Sequence, residues 1–418
     1  MGMKYYLCID LKSFYASVEC VERGIDPLTS NLVVADNSRG NGTICLAVTP
    51  NMKKLGVKNR CRLYEISDNI SYIVAKPRMK KYMEYSRRIY SVYLKYVSYS
   101  DIHVYSIDEA FLDVTSYLKL YGNNILKLVK MILSDIFKTT GITATCGIGT
   151  NMYLAKIALD IISKHSPTNI GYLDEKLYIE KLGNYKKLDD FWMISSGTIR
   201  RLYKHNLYCM NDISKCDERI LYKEFGINAR LLIDHSKGIE TCTISDIKNY
   251  KPKNRSISSS QILFHDYDFY KARNVLVEMI DNLVLELVSI NLYTDNVFLY
   301  IGYSKDIEKG VSISRKIDST NSFKNISSLL VKLYEENVNK NIPIRRIGIS
   351  FNNVKNNNLK QLDIFNKYIE EDKDNLLLKS INDIKNRFGN NSVLRCISYV
   401  DGSNQRMRNK LVGGHNGE

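Results

Sequence analysis

The chain has 418 residues, 44% hydrophobic and 25% charged, the balance of a soluble globular protein, and its length excludes one ordinary core and suggests about two to four domains. No run approaches the ~20 uncharged apolar residues of a membrane span, so no membrane partner is expected. Lys and Arg number 60 against 45 Asp and Glu, a net charge of +15 that suits a polyanionic partner, nucleic acid first, although an AT-rich coding sequence gives the same lysine surplus.

The start, MGMKYYLCID, lacks the apolar core and cleavage site of a signal peptide. Nine cysteines with no C-x-x-C pair read as reduced thiols packed in a cytoplasmic protein. KYYLCI at 4–9 predicts a short buried strand ending at Asp10, and SFYASVECVERG a helix stopping at Gly24. Short β-like runs and a basic stretch, NMKKLGVKNRCRLYE, follow, then a longer helix over 79–97. VYSIDEAFLDV at 104–114 is an apolar run that carries Asp108, Glu109 and Asp113. A helix near 123–138, a strand ITATCGIG and a helix over 151–162 complete the first part.

Residues 171–243 are small, helical and polar, and KNYKPKNR with Pro252 reads as an extended linker. Beyond it the order is strand (SISSSQILF), amphipathic helix (268–290), two strands (VFLYIGY, VSISRKI), helix (322–337) and strand (IPIRRIGISF). This is β-α-β-β-α-β, the split unit of ferredoxin-like domains, whose antiparallel sheet leaves one face free. Lys305, Arg315, Lys316, Arg345 and Arg346 would suit a face that tracks a phosphate backbone, or simply a solvated one. From Asn356 an Asn/Lys/Asp-rich tail, apart from a helix at 374–388, reads as flexible.

Adjacent acids on a regular strand point to opposite faces, so Asp108 and Glu109 converge only if a turn or bulge falls between them. A hairpin with strands near 102–107 and 110–114 supplies that turn, and a neighbouring strand ~4.8 Å away would bring Asp10 beside both. Three such carboxylates suit two divalent ions ~3.5–4 Å apart, the arrangement used for phosphoryl transfer; a turn-capping Asp-Glu pair is the plainer alternative.

CIDLKSFYASVE, VYSIDEAFLDV and GIGTNMYLAKIALDIISK, in that order and spacing, resemble the palm motifs of the Y-family, or translesion, DNA polymerases. TPNMKKLGVKNRCRLYEI, QLDIF and the terminal KLVGGH resemble the UmuC-like branch and its Gram-positive UV-damage-repair members. The resemblance implies an α+β multidomain right hand, with a ferredoxin-like palm at 1–24 and 76–170 and small fingers at 25–75. A helical thumb would occupy 171–247, a linker 248–255, a β-α-β-β-α-β little finger 256–355, and a tail 356–418. It implies a low-fidelity DNA polymerase of the DNA-damage (SOS) response, without proofreading, that uses primer-template DNA, deoxynucleoside triphosphates and two Mg²⁺. Asp10, Asp108 and Glu109 would be metal ligands, with the Leu11 carbonyl a further one. Ser13, Phe14 and Tyr15 would line the nucleotide, Tyr15 as the ring that clashes with a ribose 2′-hydroxyl. Lys53 and Lys164 would meet the triphosphate, Lys164 with its register offset by about one residue from many relatives. Gln361, Leu362, Asp363, Ile364 and Phe365 resemble the motif that binds the bacterial sliding clamp, and a small accessory subunit is an optional partner.

Two departures stand out. Pro50 replaces a tyrosine common in the family, and WMISSGTIRRLYKHNL keeps only Gly197 of the thumb's expected glycines. They are the grounds for a second reading, a catalytically inactive clamp- and DNA-binding factor. Asp113 matches no motif position and reads as a structural acid.

Overall fold

The computed structural model describes residues 4–304, 308–356 and 367–418, and its contacts divide the chain into two compact units, Met1–Tyr250 with His415–Glu418, and Lys251–Gly414. The first unit opens with strand β1 (Tyr6–Leu11) and helix α1 (Phe14–Glu22). A small three-stranded sheet follows: β2 (Leu32–Val34), β3 (Ala47–Val48), helix α2 (Pro50–Lys54) and β4 (Ile73–Ala75), in the order β3-β2-β4 around Val33, Val48, Met52 and Leu63. The chain returns through α3 (Met79–Tyr93), β5 (Ile102–Val104), β6 (Glu109–Asp113), α4 (Ile125–Thr140), β7 (Ala144–Gly149), α5 (Met152–Ile157) and β8 (Ile170–Leu173).

The larger sheet has the order β5-β6-β1-β7-β8, which puts the first strand of the chain near its centre. Every residue of β7 is buried and β1 is buried throughout except at Asp10, so both faces are covered. On one face Tyr6, Cys8 and Phe111 pack against Met152, Ala155 and Leu159. Two glycines make that packing close: a Cβ on Gly147 or Gly149 would lie 2.1 or 2.2 Å from backbone atoms of Ala155. By the two-residue period of a strand, Asp10 continues the face of Tyr6 and Cys8.

Five short helices follow, α6 (Glu175–Leu182), α7 (Ser196–Tyr203), α8 (Met210–Lys215), α9 (Glu218–Phe225) and α10 (Ala229–Ser236), around Tyr178, Leu202, Met210 and Leu221. Helix α11 (Ile244–Asn249) fills the first two positions of the expected linker and buries Ile244 under the sheet beside Tyr6 and Phe111.

The second unit contains β9 (Ile257–Tyr267), α12 (Phe269–Ser289), β10 (Thr294–Tyr303), β11 (Val311–Thr320), α13 (Phe323–Asn337) and β12 (Ile344–Asn352). The element order is the expected β-α-β-β-α-β. The sheet is wholly antiparallel with the order β11-β10-β12-β9, so here the first strand lies at an edge. One face is filled by α12 and α13 through Leu276, Leu283, Leu330 and Ile347. The other carries Ser312, Tyr300, Gly348 and Ser260 in one cross-strand row and Ser314, Phe298, Ser350 and Ser258 in the next.

The described residues of the tail, from 367 on, are more ordered than their composition suggests. Helix α14 (Lys367–Phe388) buries Leu378 in the core of the unit, and Arg395 pairs with Asp281. The backbone N–H groups of Asn404 and Gln405 donate to the buried carboxylate of Glu278 at 2.9 and 3.3 Å. Those bonds to α12 supply the order that a low apolar content does not. Lys305 and the stretch Gln361–Phe365 lie outside the described residues.

Candidate active site

Strand β1 delivers Asp10 directly opposite Glu109 on β6, and the Leu11 N–H donates to the Asp108 carbonyl at 3.1 Å. The hairpin turn covers 105–108, with the N–H groups of Tyr105 and Ser106 both donating to the Glu109 carbonyl at 3.0 Å. The first strand is therefore shorter than the expected 102–107, and the second is shifted by one residue from the expected 110–114, so that Glu109 opens it. Because Asp108 belongs to the turn, strand alternation does not send it away from Glu109. The Ser106 hydroxyl holds it, donating at 2.6 Å. Asp113 stands apart, opposite Tyr6, where it accepts the Thr115 N–H at 3.0 Å.

The acids meet two lysines. Lys156, on α5, reaches Glu109 at 2.7 Å and Asp160 at 3.1 Å, and its side chain is only 9% exposed. Lys164 reaches Asp10 at 3.3 Å and Asp160 at 2.7 Å. The Cys8 thiol donates to Glu109 at 3.1 Å from beneath. Residues Ala158–Ile162 form a single π-turn that continues α5, and Asp160 lies within it. A wider turn of this kind absorbs an extra residue in a helix and is frequent at functional sites. Lys164 follows it with its ammonium beside Asp10.

Burial pushes the Asp10 carboxyl up to about 6, with Asp108 and Glu109 adding repulsion and Lys164 opposing it. Burial works against the charge of Lys164, but Asp10 and Asp160 outweigh it and raise its pKa. Lys53, at the end of α2, has its pKa lowered by the protein around its ammonium and by Lys164, while Asp10 and Asp108 act in the other direction. Among the described residues no three His, Cys, Asp or Glu side chains are gathered into a ready cage for a metal ion. The donor set nonetheless fits a hard divalent cation: three carboxylates stand at one strand end, where Asp108 and Glu109 repel Asp10, and a cation would relieve that repulsion.

The turn from β1 into α1 passes through Ser13 in the left-handed region, φ 48° and ψ 47°. The Ser13 hydroxyl is buried with no hydrogen-bond partner among the described residues. The first-turn N–H groups of a helix have no partner within it and carry partial positive charge, so α1 presents anion-binding donors beside the acids. Phe14 is buried in the core, whereas Tyr15 is half-buried and stacks on Tyr82 with ring centroids 4.5 Å apart. The Tyr82 hydroxyl donates to Glu19 at 2.9 Å. Glu19 is fully buried on α1, where Arg78 donates twice, at 3.0 and 2.9 Å, and Arg23 once more. Burial alone would raise the Glu19 carboxyl; Arg78, Arg23 and Tyr82 override it and hold it below the usual range.

Comparison with known proteins identifies the family. Residues 9–160 match the model of the impB/mucB/samB family and residues 254–364 that of its C-terminal domain. A Bacillus subtilis (strain 168) protein named for UV-damage repair, UvrX, is 30% identical over 421 residues, 99% of this chain and 97% of its own length. The chain belongs to the impB/mucB/samB family of Y-family DNA polymerases. Another family member, DNA polymerase IV 2 of the same organism, is 27% identical over 99% of both chains. A solved Y-family DNA polymerase chimera of Dbh and Dpo4 superposes with a TM-score of 0.67 at 23% identity, over 84% of this chain and all of the other, and shows the fold. Use of divalent metal, DNA and nucleotides follows from that membership.

Within this family member, Pro50 is the first residue of α2, where a missing N–H costs no helical bond. Around Gly197, Ser195 caps α7 and joins Thr198, Arg200, Arg201 and Lys204 in lining a cavity of about 490 Å³. Lys156, Asp160, Glu19, Arg78 and Tyr82 are the residues that sequence reasoning missed. The four-residue spacing of Lys156, Asp160 and Lys164 was the available signal, since it puts all three on one helix face.

Proposed function

We infer that this chain is a template-directed DNA polymerase that copies past damaged bases, with Asp10, Asp108 and Glu109 as its catalytic acids. The observation that carries the reading is the direct opposition of Asp10 and Glu109 at a sheet end, with Asp108 in the adjoining turn. On this reading 1–24 and 76–170 are the palm, 25–75 the fingers, 171–247 the thumb and 256–355 the little finger.

The three acids and the Leu11 carbonyl would hold two Mg²⁺. When bound, such ions supply activation of the primer 3′-hydroxyl and charge neutralisation on the triphosphate and the leaving pyrophosphate. Ser13, Phe14 and Tyr15 bind the triphosphate through the N-terminus of α1, whose donors need no rearrangement. Lys53 and Lys164 act there as point charges, a task that needs no bidentate geometry. Tyr15, backed by Tyr82, excludes a ribose 2′-hydroxyl. In the second unit the open sheet face of small polar and aromatic residues, with Arg346 and Lys316 exposed toward its ends, lies along the DNA backbone. Gln361, Leu362, Asp363, Ile364 and Phe365 bind the sliding clamp, the apolar three filling a pocket. The enzyme works in the cytoplasm, with a small accessory subunit as an optional partner. No observation among the described residues favours the inactive alternative.

Primer extension with Mg²⁺ tests the reading. Wild type extends on undamaged and damaged templates, and Asp108→Asn and Glu109→Gln do not; equal extension by all three would refute it. Clamp binding is separate: Leu362→Ala with Phe365→Ala abolishes retention on immobilised clamp, and unchanged retention removes that assignment.

A further inference from the structure

Each of the two lysines at the site has two acidic partners, one a proposed metal ligand and the other Asp160. Lys156 divides between Glu109 at 2.7 Å and Asp160 at 3.1 Å, and Lys164 between Asp10 at 3.3 Å and Asp160 at 2.7 Å. Asp160 stands on the π-turn, off the sheet, and belongs to no ligand position. Its two oxygens serve different lysines, Oδ1 that of Lys164 and Oδ2 that of Lys156.

Resting on the metal-site reading above, we propose that Asp160 is a positioning residue that draws both ammonium groups off the strand-end acids, and that Lys156 competes with a divalent cation for Glu109. Burial makes the competition strict. With 9% of its side chain exposed, Lys156 cannot retire into water and must sit on a carboxylate. The Tyr105 ring, 5.8 Å from centroid to nitrogen, and the Cys8 thiol, whose pKa burial raises, also lie near its ammonium, and neither carries a charge to take Glu109's place. With Asp160 present the lysine has somewhere to go when a cation takes Glu109. Without Asp160 both lysines fall back on Asp10 and Glu109 and mask their oxygens. The outer partners of metal ligands tune affinity by about 10–100-fold, which is the scale expected here.

Mn²⁺ alone, titrated into the full chain without DNA and followed by the electron paramagnetic resonance of the free ion, reads this directly and involves no catalysis. Asp160→Asn weakens binding about tenfold or more, whereas Asp160→Glu binds as wild type. Lys156→Met binds a few-fold tighter than wild type, and Asp160→Asn with Lys156→Met recovers most of the affinity lost in Asp160→Asn alone. Wild-type affinity in Asp160→Asn, or no recovery in the double variant, overturns the proposal. If Asp160→Asn does not fold, Lys156→Met decides, since equal or weaker binding there contradicts competition. Asp108→Asn is the control: undiminished Mn²⁺ binding in it refutes the metal site itself, a failure distinct from that of Asp160.

Discussion

Leaving aside the small inserted sheet β2–β4 and the last strand β8, the larger sheet of the first unit is built from the same β-α-β-β-α-β string as that of the second, and the two sheets differ. In the first the opening strand β1 inserts between β6 and β7; in the second the opening strand β9 stays at the edge beside β12 alone. Both opening strands carry an aspartate as their penultimate residue, Asp10 and Asp266. Central placement sets Asp10 opposite Glu109 and beside the β5–β6 turn, so acids accumulate. Edge placement leaves Asp266 with ordinary partners, the Ser304 hydroxyl at 2.6 Å and Arg345 at 3.5 Å. Strand order, more than composition, makes one sheet end a candidate metal site and the other a surface.

The sharpest way to break the comparison is a Cβ on each sheet. Gly149→Ala would press a methyl against the backbone of α5, and we expect a loss above about 4 kcal/mol, read as failure to accumulate folded protein. Gly348→Ala meets its nearest neighbours at an ordinary 3.6 Å and should shift stability by less than about 1 kcal/mol in denaturant melts. Similar effects would mean that the two sheets are equally covered.

A smaller effect separates two buried glutamates. Glu19→Gln removes the carboxylate that Arg78 and Tyr82 share and should cost about 3 kcal/mol, at the low end for a buried pair because Arg78 keeps 33% of its side chain exposed. Since Glu19 is held below its unfolded pKa, its contribution is present above that value and is lost as the pH falls through the native one. Glu278 behaves oppositely. Burial raises its carboxyl despite the N–H groups of Asn404 and Gln405. Its unit is therefore favoured below the unfolded pKa and loses stability as the pH rises through the native value. Denaturant melts against pH should show the two slopes with opposite signs, each abolished by the Gln variant.

Much of this was legible in the residues. The unbroken run YLCI predicts a buried strand, as found, and the antiparallel order of the second unit a sheet with one face free, although Ile262 stands exposed and Gln261 buried against the plain apolar pattern. The acids of VYSIDEAFLDV were legible because charge in an apolar run needs a reason. Strand order was not, since hydrophobic period reports which face is buried and not which strand lies alongside. Lys156 and Asp160 escaped because their four-residue spacing shows a shared helix face but not that the face lies against the acids. The ordered tail escaped because its anchor, Glu278, looks like one more charge on an amphipathic helix.

The two opening-strand aspartates test the central claim most directly. Single-turnover nucleotide incorporation with Mg²⁺ should fall by about 10³-fold, some 4 kcal/mol, in Asp10→Asn, and stay within about twofold of wild type in Asp266→Asn. An Asp10→Asn rate within about tenfold of wild type, or an equal loss in both variants, would contradict the claim that the central strand's acids carry the chemistry.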